Sequence, residues 1–288
     1  QTEFNADFIG YFNKKFGKLS VDALAGANYR NLRWSTLTLG ANDLTVPNLF
    51  TTSNTKGSPV TAQDNVWIKN NSVYGQATLG YNDVLYVDLL ARNDWSSTIK
   101  DPFFYPAVSA SWLPLETFNI ESEVISFLKL RGGWAKVGNA TGAYRTDPYF
   151  EVPANTPPYT GVTQYRQTLE FPPAGLKPEQ VVTTELGFEI NFLQNRIGLD
   201  FTAYNKTTTD QIMSVAISKA TGYNTTLVNA GEINNKGIEI ELHGAAIKNA
   251  NGFNWDIYLN WAKDVSEVIE LYIDPVTGQK VQSYQLGS

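Results

Sequence analysis

The sequence predicts an all-β chain, the antiparallel wall of a transmembrane β-barrel with about ten strands, short periplasmic turns and long extracellular loops. Three observations predict it. Apolar and polar side chains alternate strictly along repeated runs, and successive strand side chains point to opposite faces. The runs are roughly ten residues long, the length a tilted strand needs to cross a bilayer. Tight polar breaks alternate with long irregular stretches, as short turns and long loops do in an outer-membrane barrel.

The elements follow in order. Residues 3–13 alternate, with Phe4, Ala6, Phe8, Gly10 and Phe12 on one side. Lys14-Lys15-Phe16-Gly17 reads as a turn. Over 19–33 Leu19, Val21, Ala23, Ala25 and Tyr29 share a face opposite Ser20, Asp22, Asn28 and Arg30. Residues 34–69 lose the pattern and read as a long Thr/Asn/Ser loop with Pro47, Gly57 and Pro59. Alternation resumes over 73–81, breaks at Asn82-Asp83, and continues with Leu85, Val87, Leu89 and Ala91 against Tyr86, Asp88, Leu90, Arg92 and Asp94. Residues 95–102 read as a loop and 104–112 as a strand, weakened by Pro106, which cannot donate to a ladder. Residues 114–126 read as a connection with a helical turn.

Leu128, Leu130, Gly132 and Trp134 mark the next strand, and 138–178 a Pro/Tyr/Thr/Gly-rich loop. The clearest unit is 183–204, a hairpin. Leu186, Phe188, Ile190 and Phe192 face one way, Gln194-Asn195-Arg196 turns, and Ile197, Leu199, Phe201 and Ala203 continue the apolar face. Glu185, Glu189 and Asp200 fall opposite. Residues 206–231 read as a loop holding a short strand near Ile212. Ile238, Ile240 and Leu242 then alternate with Glu239, Glu241 and His243. A turn at 248–252 leads to Phe253, Trp255, Ile257, Leu259 and Trp261, and the tail from Lys263 reads as loop.

Composition excludes several classes. Charged residues are 17% and the net charge is -6, which leaves no basic footprint for nucleic acid. Cysteine is absent, so disulfides and thiolate metal sites are excluded. No apolar run marks a membrane helix. Gln1 begins what reads as a strand, not a leader, and the whole 1–288 span is expected to be a partial barrel domain, an internal piece lacking a plug domain and closing strands.

A soluble β-sandwich would also alternate. The strands exceed the usual five or six residues of soluble ones, and the apolar faces carry no charge over their central positions. On a lipid face a mid-membrane Arg or Lys costs roughly 2–4 kcal/mol. The turn asymmetry is the stronger discriminator. Leu85, Val87, Leu89, Leu186, Phe188, Ile190, Leu199, Phe201, Ile240 and Ile257 are therefore expected to face lipid, and the acidic positions a watery lumen.

Five segments carry a family resemblance: ARNDWSS at 91–97, FFYPAVSASW at 103–112, FLKLRGGWAKVGN at 127–139, LKPEQVVTTELGFEINFLQNRIGLDFTAYNKTTTDQI at 176–212 and NAGEINNKGIEIEL at 229–242. They resemble the barrel of SusC/RagA-type TonB-dependent transporters of Bacteroidetes. The resemblance covers about residues 72–263, with the earlier strands fitting only loosely. It implies a 22-stranded barrel of the cell outer membrane, filled by an N-terminal plug. It implies a SusD-like surface lipoprotein as lid, TonB as energy source acting through the plug, and oligosaccharide or peptide as cargo. It implies neither a cofactor nor an enzyme activity, and supplies no residue motif for substrate choice.

Candidate substrate contacts are the loop aromatics Trp67, Trp95, Tyr144, Tyr149, Tyr159 and Tyr165, on whose faces a sugar ring can stack. The competing role is loop packing or the aromatic girdle at the membrane edge. Asp88, Arg92 and Asp94, next to Trp95, either bind polar substrate or form a charge ladder holding strands and plug in register. His243 is the sole histidine, so no metal site is expected. Nothing resembles a nucleophile elbow, and Glu239 with Glu241 reads as lumen lining, not a glycosidase pair. Two further functions stay open: a barrel-anchored surface adhesin or receptor, and a soluble glycan-binding β-protein.

Overall fold

A computed structural model describes residues 1–41, 43–57, 59–152, 164–173, 175–249, 252–273 and 280–281. Ten strands form one sheet in chain order. They are β1 (Thr2–Phe16), β2 (Leu19–Gly40), β3 (Val60–Tyr81), β4 (Leu85–Ser96), β5 (Phe103–Trp112), β6 (Ile125–Asn139), β7 (Glu179–Phe192), β8 (Ile197–Thr209), β9 (Glu232–Ile247) and β10 (Trp255–Glu270). Every neighbouring pair is antiparallel.

Because directly paired residues share a face, the register extends the local alternation across the sheet. One row of paired residues takes Phe16, Leu19, Tyr81, Leu85 and Trp112 from the first five strands, then Leu130, Phe188, Phe201, Ile240 and Trp261 from the rest. All ten are apolar or aromatic. The neighbouring row on the other face runs through Ser111, Arg131, Gly187, Thr202 and Glu239. All the residues expected to face lipid lie on the apolar face, and Glu185, Glu189 and Asp200 on the polar one. No second sheet packs on the apolar face among the described residues: Phe8 is 79% exposed, Leu186 65% and Leu259 58%. A sandwich would have buried them.

Connections alternate as expected. At one rim lie 17–18, 82–84, 113–124, 193–196 and the described residues of 248–254; at the other lie 97–102, 210–231 and the described residues of 41–59 and 140–178. The tight turns use left-handed backbone: Asn82 and Asp83 have φ of 53° and 58°, and Leu193, Gln194 and Asn195 lie between 52° and 62°. Residues 113–124 hold a short helix, Pro114–Phe118, with proline in its first turn.

Several boundaries differ from expectation. The first turn is Gly17-Lys18, not 14–17, because β1 stays paired through Phe16. The stretch 34–69 is strand at both ends: β2 continues to Gly40 and β3 starts at Val60. At these strand ends the alternation of apolar and polar residues is weak, and the strands are held by their ladder bonds. The same reason applies to the tail from Lys263, where β10 continues to Glu270, and to Trp95, which lies within β4 rather than in a loop. Pro106 is accommodated because the β5–β6 ladder begins only at Ala107. Residues 250–251 of the turn expected at 248–252 lie outside the described residues.

Candidate functional site

The polar wall gathers its charges by strand pairing. Asp88 on β4 accepts from the Thr78 hydroxyl on β3 at 2.5 Å and from the Ser109 hydroxyl on β5 at 3.1 Å. Arg92 donates to Asp94 at 2.7 Å and to the buried Ser72 hydroxyl at 2.8 Å, with its guanidinium 5.5 Å from the centre of the Tyr74 ring. Further along, Arg131 on β6 makes a two-pronged pair with Asp200 on β8, at 2.7 and 2.5 Å, and reaches the Thr202 hydroxyl at 2.6 Å. Asp88 thus joins β3, β4 and β5, and Arg131 joins β6 to β8.

Between these charges the wall is hollow. Strands β5 and β6 present small residues there, Ala107, Ser109 and Ser111 beside Gly133 and Ala135, which leave space between Asp88 and Glu185. One hollow of about 410 Å³ is bordered by Gln76, Asp88, Leu90 and Glu185. A second of about 290 Å³ shares Asp88 and Glu185 and adds Lys129 and Arg131. Sequence reasoning missed this depression. Its signal is the run of small residues at alternate positions 107, 109 and 111 facing 133 and 135, visible only once β5 and β6 are known to pair.

Over the long-loop rim the connections form a layer with its own core. Ile99, Phe103, Leu176 and Leu227 are buried together, flanked by Tyr105, Ala140 and Ile212. Residues Ile212–Ala216 pair with Thr225–Asn229, which run parallel to Glu170–Phe171. The amide of Asn229 clasps three segments: it donates to the Lys177 and Asp210 carbonyls at 2.7 and 2.9 Å and accepts from the Lys177 N–H at 2.7 Å. Arg145 grips Glu170 with two bonds at 3.0 and 2.5 Å. The hydrogen bonds it donates to Glu170 push the Arg145 pKa further above its ordinary value, against partial burial.

The loop aromatics divide. The Tyr144 hydroxyl accepts the Trp67 backbone N–H at 3.1 Å, past the point where β4 stops covering β3. Tyr149 is 44% and Tyr165 70% exposed on the loop layer. Tyr159 lies outside the described residues. Trp95 is opposite Asn71 and shares the apolar face with Leu85, Val87 and Leu89, so it points away from Arg92 and Asp94. Trp67 is on that face too, with the Arg33 guanidinium 3.9 Å and the Lys69 ammonium 4.3 Å from its ring centre. His243 stacks on Tyr258 with ring centres 6.2 Å apart. Among the described residues no cluster of His, Asp or Glu is placed to hold a metal ion.

A single antiparallel sheet, apolar on one face, charged on the other and looped at one rim, is a wall of the kind built by outer-membrane receptors. The comparisons agree. The family described as "TonB dependent receptor-like, beta-barrel" matches residues 1–282. TonB-dependent receptor P26 of Formosa agariphila is 30% identical over 97% of this chain, and receptor P3 of the same organism 25% identical over 94%. The chain spans 29% and 28% of those relatives. A structure of the RagAB peptide transporter superposes with a TM-score of 0.79 at 19% identity, covering 96% of this chain and 30% of that one. Another, of the RagAB peptide importer in its "open-open" state, gives 0.76 at 20% identity over 96% and 31%. The chain belongs to the TonB-dependent receptor-like β-barrel family. It is an outer-membrane protein of a receptor family, not of a family of enzymes.

Proposed function

We propose that residues 1–288 are part of the wall of a closed outer-membrane barrel that imports oligosaccharides or peptides. The carrying observation is the unbroken apolar row across ten paired strands, backed by a charged and hollowed opposite face. In this reading the apolar face meets lipid, the polar face lines the lumen, the tight turns are periplasmic and the loop layer is extracellular. The hollow between Asp88 and Glu185 lies on the substrate path, and Tyr149 and Tyr165 present rings at its outer mouth. A SusD-like lipoprotein closes over the loop layer, and TonB acts through a plug contributed by another part of the protein.

Uptake tests it. Cells carrying the full-length protein are given fluorescent oligosaccharides and peptides, with and without TonB and with and without the proton gradient. Accumulation that needs the protein, TonB and the gradient is expected. Surface binding with no internal accumulation would replace the importer with the anchored receptor or adhesin.

A further inference from the structure

We infer that the apolar face ends, on its long-loop side, in a girdle that binds the phosphorylated headgroups of anionic lipid. The inference rests on the reading that this face meets the membrane. The strand register supplies the observation. Arg33, Lys69, Lys136, Lys236 and Lys263 all lie on the apolar face, placed there by pairing with Thr2, Asn31, Val182, Asn205 and Ile238. They sit 8 to 14 residues from the short-turn end of their strands, a range that brackets the roughly ten residues of a tilted bilayer-spanning strand. Below them the face carries no charged side chain up to the turns apart from Lys14 beside the first turn, and its polar residues, Asn31, Asn71 and Asn93 among them, are uncharged.

Charge separation makes the girdle cationic. Every Asp and Glu within β1 to β8 falls on the polar face, as do Glu239, Glu241 and Asp264. On the cations' face Glu267, opposite Asn234, lies one rung nearer the loops than Lys236 and two nearer than Lys263, with Glu232 farther still beyond a register shift. Among the described residues none of the five cations is in an ion pair, whereas Arg30, Arg92 and Arg131 on the polar face all are. The cations are also accompanied by indoles. Arg33 and Lys69 flank the Trp67 ring, whose N–H donates to Asn31 at 2.5 Å. Trp261 lies two residues from Lys263 on the same face. Indoles hold position at the headgroup level, and long basic stems lie along apolar surface while their charge reaches the interface. Unpaired cations at that depth, with no carboxylate level with them, fit phosphate on a lipid rather than a neutral headgroup.

The test uses the full-length protein. Four cations are neutralised together in R33Q/K69Q/K236Q/K263Q, and charge is kept in R33K/K69R/K236R/K263R. Binding is measured to vesicles of phosphatidylcholine carrying lipid A, phosphorylated or dephosphorylated, with inorganic phosphate as competitor. Wild type and the charge-conserving variant are expected to prefer phosphorylated lipid A. The neutral variant is expected to lose that preference by tenfold or more, since each basic residue near an anionic surface contributes about fivefold. The pairs R33Q/K69Q and K236Q/K263Q should each lose part of it, which covers the case where the quadruple variant does not fold. Unchanged preference in the neutral variants would overturn the inference, as would full displacement by inorganic phosphate. A wild-type chain that stays folded and monomeric in water without detergent would instead overturn the membrane reading beneath it.

Discussion

Arg131 reaches Asp200 by crossing the strand that separates them. Arg131 is on β6 and Asp200 on β8, and the intervening residue of β7 directly opposite Arg131 is Gly187. The guanidinium lies over that glycine: a Cβ there would meet Arg131 Nε at 2.9 Å and the Phe201 carbonyl oxygen at 2.7 Å. The pair therefore ties three strands together, and it can form only because the middle strand has no side chain on that rung.

Gly187→Val should break this tie. The new side chain displaces Arg131 and presses on β8 backbone, leaving Asp200 without its partner. Breaking a buried pair costs about 3–5 kcal/mol. This pair is about one-third exposed, so a loss of roughly 1–2 kcal/mol is expected. Urea titration of the reconstituted full-length protein, read by heat-modifiable mobility on gels, measures it. A midpoint equal to wild type would show that the crossing contributes nothing.

Phe188 and Glu189 are adjacent in sequence and opposite in fate. Phe188 stacks on Phe201 at 5.3 Å on the apolar face, while Glu189 pairs with Asp200 and Lys129 on the polar one. Phe188→Arg should cost roughly 2–4 kcal/mol and block assembly; Glu189→Arg should assemble. Outer-membrane fractionation separates the two, and equal tolerance would reverse or abolish the assigned orientation.

Tyr204 lies flat over Gly237, its direct partner on β9, and its hydroxyl donates to Asp264 on β10 at 3.1 Å. A Cβ at 237 would overlap the ring. Gly237→Val should therefore destabilise by about 1–3 kcal/mol through overpacking. Removing the ring in Gly237→Val/Tyr204→Ala should recover part of the loss. A double-mutant cycle with no coupling would mean the ring and the glycine are independent.

Asn229→Ala removes three hydrogen bonds that join the connections around residues 177, 210 and 229. The sheet should be unaffected, because none of its ladder bonds is involved. Hydrogen exchange in 212–230 should accelerate by about tenfold or more, the effect of losing bonds worth roughly 1 kcal/mol each. Exchange at the wild-type rate would show that the strand pairing and the loop core of Ile99, Phe103, Leu176 and Leu227 hold the layer without the Asn229 clasp.

Alternation was legible wherever one face had to be apolar. The hairpin around Gln194 was read with its faces correct, because Leu186, Phe188, Leu199 and Phe201 are required there by a single environment. It failed at residues 34–40, 60–69 and 264–270, where the alternation is weak and the strand is held by its ladder. Trp95 was misplaced for the same reason: near a rim, an aromatic reads equally as loop or strand.

By itself the sequence determined the all-β class, the two faces and the alternation of short and long connections, because each follows from residues close together in the chain. Only the tertiary structure decided which residues meet across strands. Arg131 with Asp200 over Gly187, the hollow between Asp88 and Glu185, and the clasp of Asn229 all depend on register. Register is fixed by many weak pairings summed along a ladder, and no local pattern states which rung a residue will occupy.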